Sequence, residues 1–119
     1  MSPQAHDAAY AAVSHLPHLI AFALINGITG QEHGKEYMSL AGPGFRDFTR
    51  IAASDPKMWR DILIANREEL LAQSKIFQQT LQSLEELIGS SSGDVLEVLI
   101  EQASETRANW RISSQKSHK

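Results

Sequence analysis

Two histidines three residues apart stand in Ser14-His15-Leu16-Pro17-His18, with His6-Asp7 two turns upstream. On a helix that spacing puts His15 and His18 on neighbouring positions of one face. The proline between them lacks an N–H and opens the local backbone. An imidazole pointing into a cleft could bond a substrate oxygen or move a proton near neutral pH. The plainer alternative is a pair of histidines hydrogen-bonded inside a helix-packing interface. A metal would need a third ligand, and His6 lies too far up the helix to converge with the other two. A second block is Gly42-Pro43-Gly44-Phe45-Arg46-Asp47-Phe48-Thr49-Arg50. A glycine-bounded turn feeding a short helix offers backbone N–H groups to an anion. Arg46 and Arg50, four apart, could fork onto one or two carboxylates. Asp47 is placed to pair with Arg50 or to hold Arg46, and a solvated arginine face with an ordinary salt bridge is the bland reading. The third block, Ser54-Asp55-Pro56-Lys57-Met58-Trp59-Arg60-Asp61, sets a tryptophan in the first turn of a helix, where it can anchor packing or touch a ligand.

The elements that must carry these side chains read as helices throughout. Ser2-Pro3 is a cap followed by a first-turn proline, and helix-compatible sequence runs to Ile25, where Asn26-Gly27 is expected to stop it. Leu16, Leu19, Ile20, Phe22, Ala23 and Leu24 make this helix apolar nearly all round, as befits the middle of a bundle or a subunit interface. Pro17 should kink it. A polar connection over 27–33 leads to a short helix over 35–40. The turn 41–44 comes next, in which little besides glycine and proline would be at ease. Another short helix spans 45–53. Asp55-Pro56 then starts one long helix running to Ile88, with Gly89 as its stop and a seam of Phe77, Leu81, Leu84 and Ile88 at coiled-coil spacing. A final helix from Asp94 to about Arg111 carries Val95, Leu96, Val98 and Leu99. No strand alternation appears, so the fold class is all-α, a helical bundle with one long central helix. At 1.5 Å per residue that helix extends roughly 50 Å, beyond a domain whose radius of gyration is about 13–14 Å. A second copy covering its seam, an interdigitated homodimer, is the simplest solution.

Composition narrows the function. The chain has 119 residues, room for one domain, and no cysteine, which excludes disulfides, thiolate chemistry and Cys-based zinc sites. A formal charge of −3 argues against a nucleic-acid partner, and the late Arg107, Arg111, Lys116 and Lys119 read as a solvated tail. No stretch is expected to cross a bilayer, and no signal peptide is evident at the start, so the expectation is a cytoplasmic protein with no membrane partner. The glycines sit at 27, 30, 34, 42, 44, 89 and 93, none after a strand, so no dinucleotide binds here by a glycine-rich turn.

The order of the blocks resembles the helical domain of prephenate and arogenate dehydrogenases. His6-Asp7, Ala12 through His18 and Ala21-Phe22-Ala23-Leu24 look like its opening. Gly44 through Ala52, and Ser54-Asp55-Pro56 on to Ile62, look like its second block; the likeness covers about residues 1–90. It implies an enzyme that oxidatively decarboxylates prephenate, or its amino analogue arogenate, in tyrosine biosynthesis. NAD or NADP would be held by an N-terminal nucleotide-binding domain that this chain lacks. The catalytic histidine would also lie in that missing half, so the 119 residues alone are expected to be inactive, with no cofactor, metal or catalytic residue of their own. By residue, the resemblance implies that Arg50 holds a substrate carboxylate and that His18 faces the substrate. Arg46 and Asp47 would form the charged pair beside the site, while Trp59 reaches towards the partner subunit's cleft. His15 and Gly44 complete the implied substrate-binding set, and Pro43 stands in a turn often richer in glycine. The chain is expected to be an excised or truncated piece. Two rivals are a small chorismate-mutase-like helical enzyme, against which the acidic flanks of Arg60 and Arg67 argue, and a helical interaction module without catalysis.

Overall fold

The computed structural model describes residues 1–117, with side chains as far as Trp110; Arg111, Lys116 and Lys119 of the expected basic tail lie outside that range. The helices are α1 (Pro3–Tyr10), α2 (Leu16–Thr29), α3 (Gly34–Ser39), α4 (Pro43–Thr49), α5 (Pro56–Ala65), α6 (Arg67–Gly89) and α7 (Gly93–Ser117). A π turn (Ala11–His15) joins α1 to α2, and a 3₁₀ turn (Arg50–Ala52) follows α4. No strand occurs among the described residues, and the all-α expectation holds. The chain divides after Ile76 into two compact units.

The start of the chain folds as its chemistry dictates. Ser2 Oγ accepts from the Ala5 N–H at 3.1 Å, and Pro3 occupies the first turn, where its missing donor leaves nothing unpaired. Pro17 does not break the helix. Its ring would crowd the Val13 carbonyl in a regular helix. The backbone instead widens by one residue, and the Leu16 N–H bonds the Ala11 carbonyl five residues back. Helix therefore runs without a gap over Pro3–Thr29. This stretch, with a window of mean hydropathy 1.6, is long and apolar enough by length and composition to cross a bilayer, which corrects the expectation that no stretch is.

Asn26-Gly27 lies inside α2, whose end comes at Gly30. The added turn has a use. Gly34, buried at the start of α3, comes so close to that turn that a Cβ on it would strike the Ile28 carbonyl oxygen and sit 2.8 Å from Thr29 Cα. Thus α3 packs on α2 through a glycine, and α4 and the 3₁₀ turn also pack on α2, the central element of the first unit. Asp55 caps α5 as expected, its carboxylate accepting from the Met58 N–H at 2.8 Å.

The long helix expected over 56–88 is two segments. Asn66 ends α5 with φ −111° and ψ 32°, and α6 restarts at Arg67. In the second unit α6 and α7 are linked by Ser90-Ser91-Ser92. Ser91 takes the left-handed conformation (φ 57°), Ser91 N–H bonds the Ile88 carbonyl and Ser92 N–H the Leu87 carbonyl, so a Schellman arrangement closes α6 with serine where glycine is usual. The buried apolar residues of the described chain are Ala11, Leu16, Ala21 and Leu70, all in the first unit.

Candidate functional site

His6, Tyr10, His15, His18 and Phe22 set five rings on one continuous stretch of helix, and the last three meet Trp59 of α5. Their spacings of 4, 5, 3 and 4 fit no single helical period. The π turn supplies the extra residue between Tyr10 and His15, so those two rings still stack, with centroids 6.4 Å apart. His6 meets Tyr10 edge-on at 4.5 Å, and thus joins the array through a neighbour. At its centre the His18 ring lies flat on Trp59, 3.5 Å between centroids and 14° between planes. His15 and Phe22 present their rings to the same tryptophan at 6.1 and 6.4 Å.

Hydrogen bonds fix how the two central imidazoles are turned. His18 Nδ1 is 2.8 Å from the Ser14 carbonyl, which can only accept, so Nδ1 carries the proton and the neutral ring has its lone pair on Nε2. That nitrogen can accept from a hydroxyl or, once protonated, donate to a carboxylate. His15 is held by Asn66, whose amide nitrogen also donates to the Asp7 carbonyl at 2.9 Å. The stack with Trp59 leaves His18 little freedom to turn, which is what a ligand-orienting imidazole requires.

The second block is more open. Gly44, Arg46, Asp47 and Arg50 are all exposed. Asp47 pairs with neither arginine, contrary to the expected ion pair; Arg46 Nε donates to the Ala41 carbonyl at 3.4 Å. Arg50 opens the 3₁₀ turn that packs on α2, and among the described residues it has no ion-pair partner. A hollow of about 350 Å³ lined by Phe22, Ala52, Ser54, Trp59 and Leu63 lies beside that turn. Ser54 Oγ donates to the Ile51 carbonyl and pins the turn's exit. Gly42 and Gly44 do not need glycine for backbone reasons. Neither has positive φ, and a Cβ on either meets nothing within 4 Å, which corrects the expectation that this turn admits little else.

The structure therefore brings His15, His18 and Trp59 together, and places Arg46, Asp47, Arg50 and Gly44 on one short exposed segment. Within its own chain Trp59 is stacked on His18. Tyr10, Phe22 and Asn66 were missed. The break that Asn66 makes in a run of helix formers was the signal available for it. Among the described residues no strand precedes a glycine-rich turn.

Residues 2–102 match the prephenate dehydrogenase dimerization domain. The chain belongs to that family. Among curated prephenate dehydrogenase relatives, it is 41% identical over 98 residues to the cyclohexadienyl dehydrogenase of Zymomonas mobilis, a match covering 81% of this chain and 33% of that protein. With the prephenate dehydrogenase of Bacillus subtilis it shares 43% identity over 76 residues, covering 60% and 19%. Among solved structures, the prephenate dehydrogenase of A. aeolicus in complex with hydroxyphenyl propionate and NAD+ superposes with a TM-score of 0.85 at 38% identity, over 92% of this chain and 38% of that one. The arogenate dehydrogenase of Synechocystis gives the same TM-score at 31% identity, over 92% and 41%. The chain thus spans about a third to two fifths of the length of most of these dehydrogenases. Family membership sets aside the mutase-like rival.

Proposed function

We propose that this chain is the C-terminal dimerising and substrate-binding domain of a dehydrogenase that oxidatively decarboxylates prephenate or arogenate. In that reading a separate N-terminal domain holds NAD or NADP and the catalytic histidine, and the complete protein is a cytoplasmic homodimer of tyrosine biosynthesis. The match over residues 2–102, by a chain spanning only part of each dehydrogenase, carries the reading. Dimerisation is supported by what the chain leaves uncovered. Leu81 and Ile88 of the α6 seam are exposed, and Val95, Val98 and Ile100 of α7 are each more than half exposed. Apolar rows of that kind are ordinarily covered by a partner.

Substrate binding is supported by chemistry. Prephenate is a dicarboxylate, and Arg50 has no carboxylate of its own among the described residues. A planar guanidinium suits a bidentate carboxylate contact. Arg46 and Asp47 stand one turn before it, and Gly44 leaves open room for a ligand's approach. His18, oriented on Trp59, would offer Nε2 to the substrate, with His15 beside it.

In the complete enzyme Arg50→Ala should raise KM for prephenate tenfold or more, the loss of a charge-assisted contact of about 1.5–3 kcal/mol, with the cofactor's KM unchanged. An unmoved prephenate KM removes Arg50 from the site. NADH formed from prephenate by the 119 residues alone would overturn the division of labour.

A further inference from the structure

Asn66 belongs to none of the blocks that carry the resemblance, yet it ties together residues 51 and 59 positions away. Its Nδ2 lies 2.9 Å from the Asp7 carbonyl and 3.3 Å from His15 Nδ1. The carbonyl only accepts, so the amide nitrogen must face it; a flipped amide would set two acceptors against each other. The nitrogen's second proton is then directed at His15. An amide nitrogen is a donor only, so His15 Nδ1 must be the lone-pair nitrogen and the ring proton must sit on Nε2. We propose that Asn66 is a positioning residue that locks His15 as an Nε2–H donor, opposite in tautomer to His18, whose Nδ1–H is committed to the Ser14 carbonyl.

The consequence is chemical. Two histidines on one face of a helix, both against Trp59, hold opposite hydrogen-bonding roles when neutral. His15 has a donor at Nε2 and His18 an acceptor. Such a pair offers two different hydrogen-bonding groups, a donor on His15 and an acceptor on His18, where a pair in the same tautomer would offer one kind. The backbone supports the lock. Asn66 breaks the helix between α5 and α6, which frees its side chain to reach back to α1, and it is half-buried. A hollow of about 300 Å³ lined by His6, Asp7, Tyr10, His15, Ile62 and Asn66 gives a ligand group room beside the ring.

The purpose of the lock rests on the substrate-binding reading; the lock itself does not. Nitrogen-15 histidine labelling of the full chain, read by long-range proton–nitrogen correlation, should show a pyridine-like Nδ1 and a pyrrole-like Nε2 for His15, and the reverse for His18. Asn66→Asp replaces the donor by an acceptor and should move the His15 proton to Nδ1 while His18 stays as it was. Asn66→Ala should leave His15 a mixture of tautomers, and serves if the aspartate variant does not fold. A protonated Nδ1 in the neutral His15 ring of the unsubstituted chain, or a tautomer indifferent to Asn66→Asp, overturns the proposal. In the complete enzyme Asn66→Asp should raise prephenate KM about fivefold, one neutral hydrogen bond's worth, with the cofactor's KM unchanged. An inverted tautomer with unmoved KM and kcat overturns the positioning role. The Arg50 variant reads the substrate-binding proposal through a different residue, so the two failures are distinguishable.

Discussion

Gly34→Ala should destabilise the chain, and the sign of the effect is the test. Alanine is the better helix former by roughly 1 kcal/mol, so at an open position in α3 the substitution would stabilise. Gly34 is not open. The added methyl would strike the Ile28 carbonyl oxygen and lie 2.8 Å from Thr29 Cα and 3.1 Å from Thr29 C, where ordinary contact begins near 3.4 Å. All three atoms are backbone, held in the last turn of α2, so no side chain can swing aside and α3 must withdraw by more than half an ångström. Overpacking costs about 1–3 kcal/mol, and against three backbone atoms that cannot swing aside the cost lies in the upper part of that range, about 2–3 kcal/mol. After the propensity gain of about 1 kcal/mol the net loss should be about 1–2 kcal/mol. That is a fall in Tm of roughly 4 °C or more for a unit of this size. Gly27→Ala is the matched control. Gly27 lies inside α2 with nothing within 4 Å of a Cβ, and should gain about 0.5–1 kcal/mol. The assay is thermal unfolding followed by circular dichroism at one fixed chain concentration, because association makes Tm concentration-dependent. A Gly34→Ala chain that melts at or above the parent temperature would refute the close approach of α3 to α2.

Two further substitutions test the helix ends. Ser91→Gly should stabilise by about 0.5–1 kcal/mol, since it relieves a left-handed L-residue while keeping the Schellman bonds, and should show as a higher urea midpoint with an unchanged slope. Asp55→Ala removes the acceptor for the Met58 N–H and should cost about 1 kcal/mol, whereas Asp55→Asn should keep most of the cap; equal melting of the two would count against the bond.

What the sequence made legible was local. Ser2-Pro3 and Asp55-Pro56 announce helix starts because cap, proline and first turn are contiguous, and the all-α class comes from the absence of alternation. What it hid was tertiary. Asn66 interrupts a run of good helix formers, and its amide meets residues 7 and 15, partners that no local pattern contains. Asn26-Gly27 reads as a stop, yet α2 continues to Thr29, and its last turn lies against Gly34, a contact that no local pattern contains. For the candidate site, residue types pointed to His15, His18 and Trp59, which the fold brings into contact. The arginine block was legible as a charge pattern. The Asp47 pairing inferred from spacing was not made; Arg46 took a backbone carbonyl instead.

The π turn also sets a rule for how this helix can change length. Each residue of an α-helix advances the face by about 100°, but the π turn takes up one extra residue without turning the faces on either side of it. Deleting one residue from 11–14 would let the turn close to a regular helix, with Tyr10 and His15 four apart and the faces of α1 and α2 kept. The helix carries two phases of side-chain pattern joined at one inserted residue. A deletion in α1 or α2 themselves has no such slack, and turns the side chains beyond it by about 100°.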